Sequence, residues 1–423
     1  MMKRLLVLSL LLFLWADFLK GQFSSYDKMS IEIDSLIRVG LDSQAYPGAQ
    51  VLIRYKDSII FHNAWGHHTY DDLRMVEIDD IYDLASITKV STGLPILMKL
   101  YGDGKLNLDA PLHTLVDGLG ARDKKTVTLR SALAHQSRLR PYIVYWLKTV
   151  KKDGRLKSRY YRDHRSKRFP IKITDDMYLH KNFYKKIKKE INKSEMRSVK
   201  QYEYSGLTFL LMPEIIEAMV DEPMEEFLYR EIYSPIGADE LCYNPLDKGQ
   251  ISKERILPTE HDSLWRKQLV HGRVHDEAAA MLGGISCNAG LFGSAESLSK
   301  LFQLYLNEGQ WQGRDLIAPQ AVHTFTSQAY PDNRRALGFD RPRAEYDPNY
   351  SSHAGDASQE SYGHTGFTGT MVWADPAYDL IFVFLSNRVH PSRTYRKLYE
   401  LSIRPKIQQV IYDYILQLKT TVE

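Results

Sequence analysis

Cysteine is scarce in this chain of 423 residues, and so are long apolar runs. Cys242 and Cys287 are the only two cysteines, and they lack the Cys-x-x-Cys spacing of a cysteine-based zinc site or a redox motif. They either bridge in an oxidising compartment or stay as two buried thiols. No segment beyond the first residues is apolar for long enough to cross a bilayer as a helix. The sequence therefore predicts no stable transmembrane segment in the mature chain.

A strong excess of one charge is also missing, because the formal net charge is only +4. Composition alone thus gives no indication of a nucleic-acid partner. Metal-ligand patterns are weak as well. The close histidine pairs are His67-His68 and His271/His275, and neither has the glutamate of a His-Glu-x-x-His motif. We therefore predict neither a metal nor a cofactor. A hydrophobic fraction of 43% is ample for a large core, in two or three domains or one two-lobed unit.

The first residues have the pattern of a secretory signal. Lys3 and Arg4 precede an apolar run over residues 5–15, which is too short to span a bilayer. We predict a signal peptide over residues 1–21, cleaved near Gly21–Gln22, with an uncleaved anchor as the alternative. The mature protein is then secreted or periplasmic.

A serine and a lysine three residues apart stand at the start of a predicted helix, at Ser86 and Lys89. Apolar residues follow at helical spacing over 94–100. Positions i and i+3 share a helix face, so the lysine ammonium should lie beside the serine hydroxyl and help to activate it as a nucleophile. Backbone N–H groups at a helix start can also meet developing negative charge. The same spacing recurs at Ser25–Lys28 and Ser297–Lys300, so the pattern by itself equally indicates a solvated pair.

The order of motifs separates Ser86 from the other two serines. Tyr204-Ser205-Gly206 lies downstream of it, and His364-Thr365-Gly366 lies further along. These motifs, in this order, resemble the serine β-lactamase and penicillin-binding protein superfamily. The resemblance is closest to its class C-like branch, which also holds DD-peptidases, D-aminopeptidases and esterases, and it extends over nearly the whole chain after the first two dozen residues.

This resemblance implies an α/β plus α fold. An antiparallel sheet is expected between N- and C-terminal helices, with an all-helical lobe inserted in the middle. We expect one hydrolase domain over 22–423, with the sheet lobe at about 22–103 and 285–423 and the helical lobe at about 104–284. Periodicity and turn residues predict helices over 30–39, 207–220, 223–232, 295–307 and 392–418, the last with a break at Pro405 as an alternative, and strands over 48–55, 58–64, 368–374 and 380–386.

Residues 148–200 have a different composition from the rest. Nineteen lysines and arginines face six acidic residues, and aromatic residues are interleaved with them. Such mixtures can bind an acidic polymer, although a solvated insertion explains them equally. Because the segment lies between the Ser86 and Tyr204 motifs, we expect it near the cleft, where it would attract substrates that carry carboxylates.

The resemblance also implies chemical roles for individual residues. Ser86 would attack a carbonyl carbon, with Lys89 as a cation beside it. Tyr204 would act as the base, which requires cations close to its phenol because an ordinary phenol ionises only near pH 10. His364 is a second candidate cation. By contrast, His135, at the end of a predicted helix, is expected to be structural.

The third motif supplies the remaining expected contacts. The Ser86 and Phe367 N–H groups would form an oxyanion hole. Thr365 would bind a substrate carboxylate, and Gly366 would let the strand edge approach the substrate.

Two departures from the family pattern bear on the substrate. The tyrosine triplet often ends in Asn, whose amide contacts the lysine and the substrate, but here it ends in Gly206. His364 replaces the lysine of most β-lactamases, as in certain DD-peptidases and D-amino-acid-specific peptidases. We therefore predict a secreted serine hydrolase that acts through an acyl-enzyme on D-amino-acid-containing cell-wall peptides, with peptidoglycan as the natural source. The alternatives are a β-lactamase or carboxylesterase with the same machinery, and a non-catalytic cell-wall-binding protein.

Overall fold

The computed structural model describes residues 25–120, 122–198, 202–249, 251–348 and 350–422. The predicted signal peptide over 1–21 lies outside these ranges. No helix among the described residues is both long enough and apolar enough to cross a membrane.

A five-stranded antiparallel sheet forms the centre of the molecule. Its strands are β1 (Gly48–Tyr55), β2 (Ser58–Gly66), β3 (Tyr362–Thr365), β4 (Met371–Asp375) and β5 (Leu380–Ser386), in the spatial order β3-β4-β5-β1-β2. The predicted hairpin at Lys56-Asp57 joins β1 to β2. The sheet thus pairs strands from the two ends of the chain, with Val51 opposite Phe384 in the register.

Each face of this sheet packs against a hydrophobic core. Successive side chains of a strand point to opposite faces, so neighbouring residues of β1 enter different cores. Val51 and Ile53 of β1 point into a core shared with a helix over 25–42 and the long helix Ile403–Val422. Leu52, between them, belongs to the second core on the opposite face. That second core also contains residues from the helix Ala295–Leu306. The sheet therefore lies between the terminal helices on one side and the helix Ala295–Leu306 on the other.

The remaining helices and strands are shorter or lie in the inserted part of the chain. The other helices of eight or more residues are Gly93–Gly102, Phe183–Lys193, Leu207–Val220 and Pro319–Thr326. Short helical segments are Ala85–Ile87, Thr88–Ser91, Leu112–Leu115, Arg122–Lys124, Leu129–Leu133, Tyr145–Thr149, Met224–Leu228, Tyr229–Tyr233, Ser234–Ile236, Pro245–Lys248, Lys253–Arg255, Glu277–Met281 and Lys397–Glu400. Short strands are Tyr82–Asp83, Tyr161–Arg162, Ile171–Thr174, Met177–Leu179, Cys242–Tyr243, His261–Asp262, Gln268–Leu269, Leu291–Gly293, Gln310–Trp311 and Arg314–Asp315.

The predicted fold class is confirmed, with one correction to its inserted lobe. That lobe was expected to be all-helical, but three short strands, Tyr161–Arg162, Met177–Leu179 and Ile171–Thr174, form a small antiparallel sheet inside the basic segment. Their side chains pack on the helix Phe183–Lys193, which buries Phe183, Ile187 and Ile191 in the same core. The basic segment is thus a folded layer on the helical lobe.

Candidate active site

Ser86 lies in the turn Ala85–Ile87, which leads directly into the short helix Thr88–Ser91. Ala85 has a φ of 46°, in the left-handed region that non-glycine residues rarely adopt. Its N–H donates a hydrogen bond of 2.8 Å to Asp83, which helps to hold this conformation. Non-glycine residues in rare backbone conformations cluster at functional sites. The turn leaves Ser86 partly exposed at the wall of a cavity.

Lys89 is buried, and its ammonium lies between two oxygen atoms. Nζ is 3.1 Å from Ser86 Oγ and 2.7 Å from the carbonyl oxygen of Asn288. The second contact was absent from the sequence prediction, and it uses a backbone atom with no sequence signature. The Asn288 side chain is braced by Asp276 (3.1 Å) and Ser286 (2.6 Å). The backbone carbonyl of Asn288 therefore gives Lys89 an oxygen partner in place of the side-chain amide that Gly206 lacks.

Tyr204 is brought to the same place from the other side. Its ring centroid lies 5.3 Å from Lys89 Nζ and 5.6 Å from the guanidinium carbon of Arg335. Its hydroxyl is buried and makes no hydrogen bond to any residue that the structure describes. Lys89, Tyr204 and Arg335 thus form one cluster next to Ser86.

His364 is neutral in this arrangement, although the sequence analysis named it as a second candidate cation. Its Nδ1 donates to the Thr365 carbonyl (2.8 Å), and its Nε2 accepts from Arg335 (3.3 Å), which leaves no site for a second proton. Burial, reinforced by Arg335 and Lys89, lowers the pKa of His364 to about 3. The permanent positive charge at this position belongs to Arg335.

Arg335 is a buried residue that the sequence analysis missed. It is held by Asp340 (3.0 Å) and by the carbonyl oxygen of Gly338 (3.0 Å). Burial opposes ionisation of Asp340, but Arg335 and Arg334 outweigh it and hold the pKa of that carboxyl at about 2. Arg335 lies in no recognised motif, so only the folded chain reveals it.

His135 braces the tyrosine segment. Its Nδ1 accepts the Ser205 N–H (3.1 Å), and its ring lies 4.5 Å from that of Tyr204. Burial, together with Arg335 and Lys89, holds the pKa of His135 well below its ordinary value. These contacts fit the predicted structural role, although the imidazole supports Tyr204 rather than the end of a helix.

The structure shows a packing reason for glycine at position 366, while its predicted contact with the substrate stays a prediction. A Cβ there would lie 2.0 Å from Thr370 Oγ1 and 2.7 Å from the Leu84 carbonyl oxygen. Its absence lets the end of β3 approach the turn that carries Ser86. Thr365 is half-buried at the end of that strand, and the N–H of Phe367 donates to no residue that the structure describes.

The cavity beside Ser86 has a volume of about 530 Å³. One wall is apolar and is formed by residues 141–146 together with Leu207, Leu210 and Met281. Asp276, Glu277 and Arg393 are its charged side chains. No residue of the basic segment 148–200 that the structure describes lines it, so the predicted basic rim is wrong for the cavity itself.

The remaining sequence candidates lie elsewhere. Ser297 is buried within its helix rather than on the surface, and Lys300 pairs with Glu296 at 3.0 Å. Lys28 lies in the N-terminal helix near Glu32 (3.9 Å).

Both cysteines are free and buried, and burial raises the pKa of Cys242 to about 11 and that of Cys287 to about 12. Within the described ranges, no group of three or more His, Cys, Asp or Glu side chains is placed to hold a metal ion.

The chain belongs to the Beta-lactamase family, whose sequence model matches residues 33–404. A curated relative from Escherichia coli O157:H7, named "Putative D-alanyl-D-alanine carboxypeptidase", is 28% identical over 388 residues, which cover 85% of this chain and 82% of the relative. A relative from Bacillus subtilis (strain 168), named N-acetylmuramyl-L-alanine amidase, is 28% identical over 396 residues, which cover 88% and 83%.

Solved structures share the fold. A penicillin-binding protein homologue from Caulobacter crescentus superposes with a TM-score of 0.63 at 15% identity, covering 91% of this chain and 97% of that one. The protein is thus a serine hydrolase of the β-lactamase and penicillin-binding protein superfamily, as its motifs predicted.

Proposed function

We propose that Ser86 is the nucleophile of an acyl-transfer site and that the enzyme hydrolyses D-amino-acid-containing peptides of cell-wall origin. The observation that carries the proposal is the 3.1 Å contact between Lys89 and Ser86 at the wall of a cavity, with the centroid of the Tyr204 ring 5.3 Å from the same ammonium. The names of relatives that span most of the chain support the peptide substrate.

In the proposed mechanism, Ser86 Oγ attacks the carbonyl carbon while its proton passes to the Tyr204 phenolate. The N–H groups of Ser86 and Phe367 stabilise the oxyanion, and each such donor typically contributes about 3–4 kcal/mol. The C–N bond then breaks, and Tyr204 returns the proton to the leaving amine. In the second half of the cycle, water attacks the Ser86 ester while Tyr204 takes its proton. The bond between Ser86 Oγ and the acyl carbon then breaks, and Tyr204 returns the proton to Ser86 Oγ as the carboxylate product leaves. Thr365 binds the substrate carboxylate.

Two cations support the phenolate in this scheme. Lys89 Nζ lies 5.3 Å and the guanidinium carbon of Arg335 lies 5.6 Å from the centroid of the Tyr204 ring. An opposite charge at this distance favours ionisation of a phenol. The neutral His364 links Arg335 to the end of β3 and so holds the Thr365 backbone in position.

Intact-mass spectrometry after exposure to a fluorophosphonate or to penicillin tests the nucleophile. We expect a single adduct on the wild-type protein and on Ser25→Ala and Ser297→Ala, and none on Ser86→Ala. An adduct that survives Ser86→Ala and is lost in Ser297→Ala would refute the assignment. A wild-type protein that never forms an adduct would support the non-catalytic alternative.

Substrate class is a separate question with its own comparison. Turnover of a D-Ala-D-Ala peptide, a chromogenic cephalosporin and a short acyl ester distinguishes peptidase, β-lactamase and esterase. We expect the peptide to be the best substrate. A wild-type enzyme that turns over only the ester would replace the peptidase proposal with the carboxylesterase alternative, which the apolar cavity wall over 141–146 would then explain.

A further inference from the structure

Five exposed cations surround two buried aromatic rings on the small sheet of the inserted lobe. We name this the cationic–aromatic patch, and it consists of Arg159, Arg162, Arg168, Lys181 and Lys186 with the rings of Tyr160 and Phe169. It lies within the basic segment, outside the cavity that contains Ser86.

The rings fix most of these cations in place. Arg159 and Lys186 lie 4.8 and 5.1 Å from the Tyr160 ring centroid. Two further arginines, Arg162 and Arg168, lie 4.5 and 5.9 Å from the ring of Phe169. A guanidinium held near an aromatic ring loses conformational freedom before any ligand arrives, and its N–H edges remain available to an anion.

His180 joins the two rings into one surface. The backbone N–H of His180 donates to the Tyr160 carbonyl (2.9 Å), and the imidazole ring lies 5.2 Å from the ring of Phe169. Arg168 Nε donates to its imidazole (3.1 Å). The patch is therefore continuous rather than a set of scattered charges.

The acidic residues of the segment are engaged elsewhere. Each contacts another group: Asp153 with Arg155, Asp163 with His164, Asp175 with Lys172, Asp176 with Thr174, Glu190 with Lys148, and Glu195 with Arg140. Among the residues that the structure describes, no carboxylate lies within the 4.0 Å ion-pair distance of a patch cation. The patch cations thus form no ion pair with a described carboxylate, although Asp163, next to Arg162 in the chain, offsets part of their charge.

We propose that the cationic–aromatic patch binds a linear polyanion that carries phosphate or carboxylate groups and is not a nucleic acid, and so holds the enzyme on an anionic polymer. Guanidinium groups match both of these anions geometrically. A membrane surface fits less well, because no large apolar side chain that the structure describes between Leu147 and Tyr202 is prominently exposed to enter lipid. The location outside the cavity leaves Ser86 free to react while the polymer is bound.

Binding of fluorescently labelled polyphosphate and of labelled polyglutamate to the full chain tests this proposal and distinguishes its two ligand chemistries. The patch variant is Arg159→Glu/Arg162→Glu/Arg168→Glu. The matched control is Arg314→Glu/Arg343→Glu/Arg396→Glu, which makes the same change in net charge at three exposed arginines. We expect the patch variant to weaken binding of at least one polymer about tenfold or more, with a reduced dependence on salt, and the control to weaken it less than about twofold.

Three results would overturn the proposal. One is an equal loss of polymer binding in the patch variant and the control, which would indicate that net charge alone attracts the polymer to the protein. Another is no binding of either polymer by the wild-type protein, and the third is stronger binding to anionic phospholipid vesicles or DNA than to both polymers. If the charge reversals prevent folding, the corresponding Arg→Gln set gives the same comparison. Turnover of a neutral acyl ester by Ser86 is expected to be unchanged in both variants, so this proposal and the proposed catalytic function fail independently.

Discussion

Arg335 places a buried guanidinium beside the phenol that we propose as the base. The cation there does not titrate in the neutral range, because arginine stays protonated and His364 stays neutral down to a pH of about 3. A site with lysine at position 364 would reach the same charge by another route. The positive charge that Arg335 places beside Tyr204 should therefore stay constant across the neutral pH range.

Replacing Arg335 tests this account at the scale of one residue. We expect Arg335→Met to slow acylation, because the lost cation no longer offsets the negative charge on the proposed base. Arg335→Lys keeps the charge and should slow acylation less, although it loses the geometry of the guanidinium. The measurement is the rate of acylation by a fluorophosphonate as a function of pH. An inflection near pH 6.5 that disappears in His364→Asn would contradict the account, since it would mean that His364 carries the charge.

The residues of this site differ in how far the sequence could predict them. Ser86, Lys89, Tyr204 and His364 stand in motifs, and the structure does bring them together. Their catalytic roles stay predictions. Arg335 lies outside every motif, and Asn288 contributes a backbone carbonyl, for which any residue type would serve. Such contacts depend on how distant loops fold, which spacing along the chain does not encode.

At the scale of elements, the helix Leu207–Val220 begins at a position that can accept more than glycine. Gly206 precedes the helix with a φ of −85°, and a Cβ there would have no atom within 4 Å. Asparagine is favoured at helix starts because its side chain can accept a backbone N–H. Gly206 also lines the cavity. The side-chain amide of an asparagine at this position would therefore be near the lysine and the substrate, which it contacts in the family pattern.

We therefore expect Gly206→Asn to fold at least as stably as the wild type and to hydrolyse a chromogenic cephalosporin faster. The comparison is Gly366→Ala, where the added methyl would overlap Thr370 and Leu84. That variant should lose stability and activity together. Thermal unfolding and initial rates on the cephalosporin measure both effects. A Gly206→Asn enzyme that folds normally without any gain in cephalosporin turnover would show that Asn288 already meets the need for this contact.

Helices and strands whose apolar residues recur at regular spacing were predicted well, and the exceptions have physical causes. The helix 207–220 has the predicted bounds despite Pro213. The last helix begins at Ile403 rather than Ser392, because Ser402 has a φ of 50°, in the left-handed region, which interrupts the helix. Pro405 then falls in the first turn, where its missing N–H has no intrahelical acceptor. The small sheet of the basic segment was missed because its strands have only two to four residues and are rich in charge.

At the scale of the whole molecule, the two-lobed arrangement came from the family resemblance and not from composition. Composition indicated only that the core would be large. The structure adds that the sheet pairs the two chain ends, so the terminal helices share one core with its outer face. Buried titratable groups lie on the other side, at the junction with the inserted lobe, and they make the stability of the molecule depend on pH.

His364 and His135 predict how stability responds to acid. Both are buried in the neutral form with pKa values below the ordinary 6.5, so the unfolded chain binds protons that the folded chain does not. Stability should therefore fall as pH decreases below about 6.5, by about 1.4 kcal/mol per pH unit for each histidine until its folded pKa is reached. The carboxyls of Glu260 and Asp340, with pKa values of about 2, add a second loss only below about pH 4.5.

Urea unfolding at pH 7, 6 and 5 measures the first loss separately from the second. We expect the free energy of unfolding to decline across this range in the wild type and to decline less steeply in His364→Asn, whatever that variant's stability at pH 7. His323→Asn removes an exposed histidine and should keep the wild-type slope. Equal slopes in all three proteins would mean that His364 takes up its proton in the folded state as readily as in the unfolded chain. Below about pH 6.5, Arg335 would then lie beside a second cation, and the neutral hydrogen-bond pattern that links it to β3 would be lost in mild acid.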